Sequence, residues 1–545
     1  MAKNARLIYR VVQKWVHPHI ASFQATQQPK LWLLAIAAGV TGGAVAILFR
    51  SAIGAVQYLW IQTASELYLE RLAALPWYYV IAGPFIGGVI VGIIMYFWRR
   101  DARPGGVADV IEARTHAGKK LSLRNSIVAS AISAISLGFG ASAGREGPVV
   151  YFAASVSKSL FRFFELPPSS RRIMLGCGVA AAISASFNAP IAGVLFAHEV
   201  ILGHFAMSAF VPIVIASVIA STMSRAWFGD NPAFLVPDFQ ITSYWEIPAF
   251  ALLGLTCAAV AIAFQTSLIG TDWVARHFRV RDYFRPAIGG FLVGIIALGF
   301  PQVLGVGYEA TNAALTNQMG LWTMLTLIIA KTAATAITLA SRFGGGIFSP
   351  ALYLGAMTGG AFGLMAASVF PELASSEALY SIIGMGAVAA AVLGAPISTT
   401  VMIFELTGGF AFSIALLFAV SIATGLTQAV MGRSFFYWQL YTRGIMLEEG
   451  PHAHFVKYYR VRDFMSPYVK NEDEPPFDIL SGKPWLKTGD TLETALRAFD
   501  AADESRLPVM DGSGKRMKQV GWVTHVKALA SFNKALVEQS REEHL

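Results

Sequence analysis

The sequence predicts an all-α polytopic membrane protein with a small soluble α/β domain at its C-terminal end. Of its 545 residues, 55% are hydrophobic and only 14% are charged, so the chain is more apolar than soluble globular proteins. Long apolar segments recur up to about residue 430, and they contain an internal repeat. After residue 450 the chain becomes polar and charged, which indicates a soluble domain.

The apolar segments predict both complete transmembrane helices and broken ones. A helix needs about 20 residues to cross the hydrocarbon core of a bilayer. Windows of this length lie at residues 31–49, 76–98, 206–227, 247–268, 285–305, 321–341 and 411–430. Segments that are short, or interrupted by Gly and Pro, lie at residues 149–165, 173–187, 190–202 and 397–406. The second group is typical of half helices, which occur where protein or a water-filled path surrounds them.

The basic residues predict the orientation of the chain. Residues 1–30 are basic and amphipathic without a signal-peptide cleavage pattern, so we expect a helix on the cytoplasmic surface. The positive-inside rule places the basic N-terminal segment and two basic loops in the cytoplasm. Their residues are Lys3, Arg6, Arg10, Lys14, Arg99, Arg100, Arg103, Lys119, Lys120, Arg124, Arg276, Arg279, Arg281 and Arg285. Both termini are therefore expected inside, and the compact tail and short loops favour a bacterial inner membrane. Topology explains the net charge of +9, which gives no reason to expect a nucleic-acid partner.

The membrane part of the chain contains a duplication. Residues 144–148 (GREGP) and 344–350 (GGGIFSP) are Gly-rich breaks that end in proline, and the two prolines are 202 residues apart. Residues 134–137 (AISL) recur at the same offset as residues 336–339 (AITL). Such repeats with interrupted helices characterise transporter folds whose substrate site lies at the repeat interface. Sequence similarity alone leaves open whether the repeats are parallel or inverted.

A second motif recurs farther along each repeat. Residues 188–191 (NAPI) are followed by Glu199, and residues 394–397 (GAPI) are followed by Glu405, at an offset of 206 residues. Proline suits the first turn of a helix. Each copy therefore predicts a helix that begins at proline and carries a carboxylate near its end.

The C-terminal residues predict a small α/β domain. Residues 471–476 (NEDEPP) are a linker or insertion, residues 491–499 have helical periodicity, and residues 507–510 and 520–524 are strand-like. The predicted organisation is an N-terminal helix at residues 1–30, membrane repeat 1 at 31–240, membrane repeat 2 at 241–445 and the soluble domain at 446–545.

Three Gly-rich helix starts predict a site for an anion. They lie at residues 104–107 (PGGV), 144–148 and 344–350. A helix that begins at such a turn presents unpaired N–H groups and about half a positive charge, which attracts an anion without a full countercharge. A bare lysine would bind the anion too tightly to release it. If the three starts converge within the membrane, they form a weak, desolvated anion site.

Glu146 lies between glycines in one of these turns, with apolar sequence on both sides. A carboxylate in hydrocarbon is costly, so it is a functional residue by default. It can occupy an anion position and leave when it is protonated or displaced, which makes it a gate candidate. The alternative is that Glu146 pairs with Arg145 or another buried cation for structure alone.

Four ordered motifs carry a family resemblance. They are GREGP, GGGIFSP, the FNAPIAGVLFAHE run at residues 187–199 and the GAPISTTVMIFELTGG run at residues 394–409. Together they resemble the signatures of the CLC chloride channels and chloride/proton exchangers, over roughly residues 30–445. The tail resembles a CBS domain through residues 461–465 and 491–529.

The resemblance implies a homodimer with one pathway per subunit for chloride or another small anion, formed by two inverted repeats of tilted and broken helices. It assigns the gating role to Glu146 and implies no enzymatic activity. Together with the helix starts, it marks the anion-binding candidates Gly105, Gly106, Val107, Arg145, Gly147, Gly346, Ile347, Phe348, Phe436 and Tyr437.

Two of these positions depart from the family pattern. The family's Gly-Ser-Gly-Ile-Pro aligns with residues 104–108 (PGGVA), so Gly105 replaces the serine that touches the anion, and only N–H groups remain there. The family's Gly-Lys-Pro-Leu-Tyr aligns with residues 432–436 (GRSFF), so the pore tyrosine becomes Phe436, which cannot donate a hydrogen bond. A shift of one residue would restore a tyrosine, Tyr437.

Val200 stands where exchangers usually keep an internal proton-transfer glutamate, while the adjacent Glu199 matches a carboxylate common in the family. Valine cannot relay a proton, and valine here resembles the passive channel branch. We therefore predict a gated chloride channel. A chloride/proton antiporter stays the alternative, because Glu199 or His198 could offer another proton route.

Two motifs hint at an enzyme, and both are weak. Residues 140–144 (GASAG) fit the GxSxG pattern around Ser142, but that motif follows a strand, whereas the residues before Ser142 are helix-like. Packing of small residues between helices accounts better for the run. His198 and His204 hint at a zinc protease, but a separation of six residues turns them about 240° apart on a helix.

A cofactor or metal site is not predicted. Cys177 and Cys257 stand singly in apolar sequence, which also argues against a disulfide. In the tail, CBS pairs of related proteins often bind adenosine nucleotides. Here only one half is well formed, and Lys527 stands where ribose-binding copies have aspartate. We therefore favour a structural or dimerising role for the tail over nucleotide binding.

Overall fold

The computed structural model describes most of the chain. The described residues are 12–16, 28–98, 104–115, 121–164, 166–230, 234, 244–278, 280–409, 412–445, 460–468, 484–502, 504–512 and 518–544. Most of the predicted N-terminal helix, the basic residues Arg99, Arg100, Arg103, Lys119, Lys120 and Arg279, and the linker at 471–476 lie outside them. Within residues 1–30 the structure describes a single π-helical turn at Val12–Val16 and the beginning of the first long helix.

The chain divides into two compact units. The first comprises Met1–Phe205 and Ala209–Thr442, and the second comprises Ala206–Ser208 and Arg443–Leu545. Up to residue 442 the described chain is helical. In order, its helices are α1 (Gln28–Ile61), α2 (Leu69–Ala73), α3 (Trp77–Trp98), α4 (Val107–Thr115), α5 (Leu123–Gly138), α6 (Glu146–Phe161), α7 (Pro168–Phe187), α8 (Pro190–Phe196), α9 (Met207–Phe228), α10 (Ile247–His277), α11 (Arg285–Gly299), α12 (Tyr308–Leu315), α13 (Leu321–Ala340), α14 (Phe348–Val369), α15 (Glu377–Leu393), α16 (Pro396–Thr407), α17 (Ser413–Met431) and α18 (Phe435–Tyr441).

Seven helical segments in the described part of the chain are long and apolar enough to cross a membrane. Six of them overlap predicted windows: α1, α3, α9, α10, α13 and the segment Ser413–Tyr441. The window at 285–305 was expected to be a complete span, but α11 has 15 residues and ends at Gly299. The helix ends there because Pro301 disfavours the α conformation of Phe300, the residue before it. A 3-10 turn then begins at Pro301.

The seventh span, α14, was not predicted as a complete crossing. Its sequence is rich in small residues, which lowers the local hydropathy. The structure uses these residues for packing: the backbones of α14 and α15 approach closely at Gly355, Gly359 and Gly384, where a Cβ would overlap the facing chain. Small residues allow such close contact between membrane helices. This packing joins α14 closely to α15.

The repeat predicted from the sequence is visible in where the broken helices begin. Glu146 is the first residue of α6, and Phe348 is the first residue of α14. Pro190 and Pro396 are the first residues of α8 and α16. Proline is stable there because its missing N–H is one that a helix start leaves unpaired.

The second unit contains a four-stranded sheet among its described residues. The strands are β1 (Ser466–Pro467), β2 (Leu486–Lys487), β3 (Arg506–Asp511) and β4 (Lys518–Thr524), and the helices are α19 (Val461–Phe464), α20 (Leu492–Ala502) and α21 (His525–His544). The strand order is β1-β4-β3-β2, with β4 antiparallel to both neighbours and β2 parallel to β3. Buried apolar residues that include Leu492, Phe499 and Val523 form its core. The helix and the two strands predicted in this region are confirmed.

Candidate functional site

Two Gly-rich turns, one from each repeat, pair through their backbones. The N–H of Gly144 donates to the carbonyl of Gly346, and the N–H of Gly346 donates to the carbonyl of Gly144, both at 2.7 Å. The pairing brings Glu146, at the start of α6, close to the start of α14. Because the exchange is reciprocal, an approximate two-fold axis relates the two turns.

The carboxylate of Glu146 lies inside this pair of turns. Glu146 is 1% exposed, and its Oε1 accepts a hydrogen bond from the hydroxyl of Ser349 at 2.5 Å. Oε2 is buried and has no hydrogen-bond partner among the described residues. A Cβ at Gly144 would overlap Oε2, so a larger residue at this position would force the carboxylate to shift. The carboxylate therefore occupies space beside two helix starts, whose partial positive charge stabilises an anion.

The start of α14 is buried as well. The ring of Phe348 lies 5.0 Å from that of Phe187 and 6.1 Å from that of Phe196, measured between ring centroids. The first N–H groups of a helix have no partner within the helix. Since the N–H of Gly346 is engaged in the paired turns, those of Ile347, Phe348 and Ser349 are the ones that this helix start can present to an anion, and the Ser349 N–H already stabilises the Glu146 carboxylate.

Arg145 and Glu146, although adjacent in the chain, have different side-chain partners. Its guanidinium forms an ion pair with Glu66 and donates to the carbonyl of Ser186 at 3.1 Å. The carboxylate of Glu146 instead accepts from Ser349. The ion-pair partner of Arg145 is therefore Glu66.

The third helix start differs from the other two. The N–H of Gly106 donates to Oδ2 of Asp109 at 2.9 Å, so this N–H is engaged by its own helix, α4, which begins at Val107. A Cβ at Gly105 would overlap the ring of Tyr151, a buried residue of α6. The space that a serine side chain would take at position 105 is thus filled by the tyrosine ring.

Glu199 and Glu405 each bind the start of a helix in the other repeat. The two oxygens of Glu199 accept from the two N–H groups that follow Pro396, at 3.0 and 2.7 Å. The two oxygens of Glu405 accept from the two N–H groups that follow Pro190, also at 3.0 and 2.7 Å. Both carboxylates are therefore engaged in capping a helix.

The end of α8 widens into a π-helical turn, Ala197–Leu202, which carries Val200 and Glu199. Val200 is half-buried. The buried ring of His198 places Nδ1 3.0 Å from the carbonyl oxygen of His204, and because a carbonyl only accepts, Nδ1 carries the hydrogen. Its Nε2 is buried without a partner in the described part of the chain.

The enzyme-like motifs do not assemble into a catalytic arrangement. The buried hydroxyl of Ser142 lies 3.3 Å from the hydroxyl of Thr335. His198 meets His204 through the backbone carbonyl of His204. Within the described ranges, no group of three or more His, Cys, Asp or Glu side chains is placed to hold a metal ion.

The two aromatic candidates of α18 differ in burial. Phe436 is buried, whereas Tyr437 is half-buried. The guanidinium of Arg433 lies 5.8 Å from the ring centroid of Tyr437. Phe436 is therefore the ring that faces the protein interior.

Three side chains at this site were not predicted from the sequence. Ser349 lies in the GGGIFSP motif, and a hydroxyl one residue after the helix start is a signal that could have identified it. Glu66 contacts Arg145 across 79 residues, and no motif links the two. Tyr151 is one more aromatic residue in an apolar helix, which carries no signal.

Comparison with known proteins identifies the family. A family model described as Voltage gated chloride channel matches residues 87–428. The chain belongs to the voltage gated chloride channel family. A Ralstonia nicotianae protein, named as a chloride channel protein of ClcB-like type, is 32% identical over 404 residues, which cover 73% of this chain and 93% of the relative. The voltage-gated ClC-type chloride channel ClcB of Citrobacter koseri is 27% identical over 73% of this chain and 96% of the relative.

A solved structure shares the fold of this voltage gated chloride channel family member. It is described as a slow cyanobacterial Cl−/H+ antiporter, has a TM-score of 0.67 at 23% identity, and the match covers 76% of this chain and 98% of that chain. The predicted fold class, a helical membrane protein of CLC architecture with a small α/β domain, is confirmed. Membership of the voltage gated chloride channel family also assigns chloride transport across a membrane to this chain.

Proposed function

We propose that this protein is a passive, gated chloride channel. The observation that carries the proposal is the position of Glu146, whose buried carboxylate lies beside the starts of α6 and α14. N–H groups at helix starts favour an anion. A carboxylate there competes with chloride for the same N–H groups, so the pathway is closed while the ionised side chain is in place. It opens when the side chain is protonated or displaced.

In this proposal the chloride ion is bound by backbone N–H groups and not by a cationic side chain. The N–H groups of Ile347 and Phe348 lie at the start of α14, and that of Gly147 lies in the first turn of α6. Arg145 acts at a distance through its charge, because Glu66 and Ser186 engage its guanidinium. Without a full countercharge in contact, the ion binds weakly enough to be released.

Residues of two further helices line the pathway. Gly105 and Val107 lie at the start of α4, and the N–H of Gly106 serves that helix by binding Asp109. The buried ring of Phe436 narrows the path without donating a hydrogen bond. Tyr437 is the less buried of the two rings and contributes less to the lining.

Two observations favour a channel over a chloride/proton antiporter. Val200 has no group that transfers protons. Glu199 has both carboxylate oxygens engaged by N–H groups of α16, which leaves it poorly suited to exchange a proton during each cycle. The antiporter is the second candidate, since a structure with the same fold is described as a Cl−/H+ antiporter, and Nε2 of His198 offers a proton acceptor.

We further propose a homodimer whose interface includes α8 and α16. Both helices are too short to cross a membrane, and such segments need protein around them. Ile191 is 59% exposed and Ile397, at the corresponding position of the other repeat, is 50% exposed. A second copy would cover these residues and the helix starts bound by Glu405 and Glu199. Ile397→Trp is expected to convert dimers to monomers in detergent, measured by light scattering, and a monomeric wild type would contradict the proposal.

The proposal also covers location and the tail. Both termini lie in the cytoplasm of a bacterial cell, with the channel in the inner membrane. The second unit is a CBS-like domain with a structural or dimerising role. Lys527 donates to the hydroxyl of Ser466 at 2.6 Å within its own domain, which argues against its use for the phosphate of a nucleotide.

Chloride efflux from liposomes tests the transport function. Vesicles that contain the purified protein and a high internal chloride concentration are diluted into low chloride, and efflux is followed with a chloride electrode. Wild-type protein is expected to release chloride faster than protein-free vesicles, and Glu146→Ala is expected to release it faster still. Equal release from wild-type, variant and empty vesicles would overturn the proposal.

A further inference from the structure

We infer that Ser349 is a latch for the Glu146 gate: its hydroxyl holds the carboxylate in the closed position through a direct hydrogen bond. The inference rests on the proposed function and adds to it a side chain from the opposite repeat. Oγ of Ser349 lies 2.5 Å from Oε1 of Glu146, and the two residues are separated by 203 positions in the sequence. An ionised carboxylate only accepts, so the hydroxyl is the donor.

Burial makes this contact strong. Ser349 is 2% exposed and Glu146 is 1% exposed, so water does not compete for the hydrogen bond. The nearby cation, Arg145, gives its ion pair to Glu66, and the second oxygen of Glu146 has no hydrogen-bond partner in the described ranges. The Ser349 hydroxyl is therefore the side-chain donor to Oε1, beside the backbone N–H groups of Glu146 and Ser349 that also stabilise the carboxylate.

The latch has a distinct role from the backbone N–H groups. Those groups can bind either the carboxylate or a chloride ion, so they set the competition between the two. The Ser349 hydroxyl stabilises the closed arrangement through Oε1 of Glu146. A hydrogen bond to a charged group shifts an equilibrium by roughly ten- to one-hundred-fold. Removing the hydroxyl should accordingly favour the open state.

The test is a double-mutant cycle of chloride efflux from liposomes at neutral pH. The proteins are the wild type, Ser349→Ala, Glu146→Ala and the double variant Ser349→Ala/Glu146→Ala. Ser349→Ala alone is expected to raise efflux about tenfold. Once the carboxylate is absent the latch has nothing to hold, so the double variant is expected to match Glu146→Ala.

Ser155→Ala is the matched control. Ser155 is a buried serine farther along α6, and its hydroxyl donates to the carbonyl of Tyr151 in the same helix at 2.8 Å. Its removal deletes a buried hydroxyl without touching the gate, so efflux should stay at the wild-type level.

Each other outcome overturns the latch. Wild-type efflux in Ser349→Ala, alongside raised efflux in Glu146→Ala, shows that the hydroxyl does not hold the gate. An equal change on both backgrounds shows that Ser349 acts on the pathway, and loss of efflux on both shows a structural role. If Glu146→Ala itself leaves efflux unchanged, the gate and with it the latch are rejected, and this result is distinct from a failure of the latch alone.

Discussion

Glu199 and Glu405 each cap the start of a helix in the opposite repeat, and the two caps have the same geometry. Each carboxylate accepts two N–H groups from the first turn of a helix in the opposite repeat, at 3.0 and 2.7 Å. The two helices start at Pro396 and Pro190. A negative charge at a helix start stabilises the helix through the unpaired N–H groups and the dipole. The two carboxylates thus join the two repeats.

The cross-repeat caps predict matched losses of stability. Glu199→Ala should lower the free energy of unfolding by about 2 kcal/mol, because two N–H groups lose a charged acceptor. Glu405→Ala should lower it by a similar amount, since its contacts are equivalent. Denaturant unfolding in detergent measures both. Undiminished stability of Glu199→Ala together with altered proton movement would assign this residue to a proton route instead.

Replacing Gly105 by serine should fail unless Tyr151 is made smaller. A Cβ at position 105 overlaps the tyrosine ring, so Gly105→Ser alone is expected to reduce the yield of folded protein and chloride efflux. Gly105→Ser combined with Tyr151→Ala should recover folding and place a hydroxyl near the anion path.

The expected consequence for selectivity is a shift of the chloride/nitrate ratio by roughly two- to tenfold, the effect of one added hydrogen bond. Tyr151→Ala alone is the control, and competing anion fluxes in liposomes give the ratio. A ratio identical in the control and the double variant would show that position 105 does not touch the ion.

The ion pair between Glu66 and Arg145 predicts that replacing Glu66 destabilises the protein more than replacing Arg50 does. The Arg145 side chain is 6% exposed, so Glu66→Gln leaves a nearly buried cation without its countercharge. We expect a loss of about 2–3 kcal/mol in unfolding free energy, less than for a fully buried pair because Glu66 is 31% exposed. Arg50 is the second partner of Glu66, and the Arg50 side chain is 36% exposed. Arg50→Gln should therefore lower the free energy of unfolding by less than about 1 kcal/mol. A larger loss of stability in Arg50→Gln than in Glu66→Gln would contradict the assignment of Glu66 as the countercharge of Arg145.

The gate predicts a defined pH response. Protonation removes the negative charge of Glu146 and weakens its hold on the helix-start N–H groups, so wild-type chloride efflux should rise as pH falls from neutral to mildly acidic. Glu146→Gln mimics the protonated side chain and should give high efflux that changes little over the same range. Stopped-flow or electrode measurements at each pH provide the comparison. A pH response that is the same in wild type and variant would remove Glu146 from the gating role.

Sequence reasoning succeeded where a motif determines its own local structure. The Gly-rich breaks and the prolines at equal offsets predicted where α6, α14, α8 and α16 begin, because glycine and proline act on the backbone directly. It was less accurate for the window at 285–305, since hydropathy counts apolar residues and does not register the break at Pro301.

The contacts of the site were harder to predict, because they join residues that are distant in the chain. The repeat marked Glu199 and Glu405 as counterparts, but an offset does not show what each carboxylate touches. Ser349 meets Glu146 across 203 residues only because the turns at Gly144 and Gly346 pair. The occupation of the space beside Gly105 by Tyr151 likewise depends on how α4 packs against α6.

The reversal potential of the chloride current tests the central claim most directly. The protein is reconstituted in liposomes or planar bilayers with a chloride gradient, and the potential of zero current is measured with and without an added pH gradient. A passive channel has a reversal potential at the chloride Nernst value, and the pH gradient leaves it unchanged. A reversal potential that moves away from that value when the pH gradient is imposed would show coupled proton transport and contradict the channel.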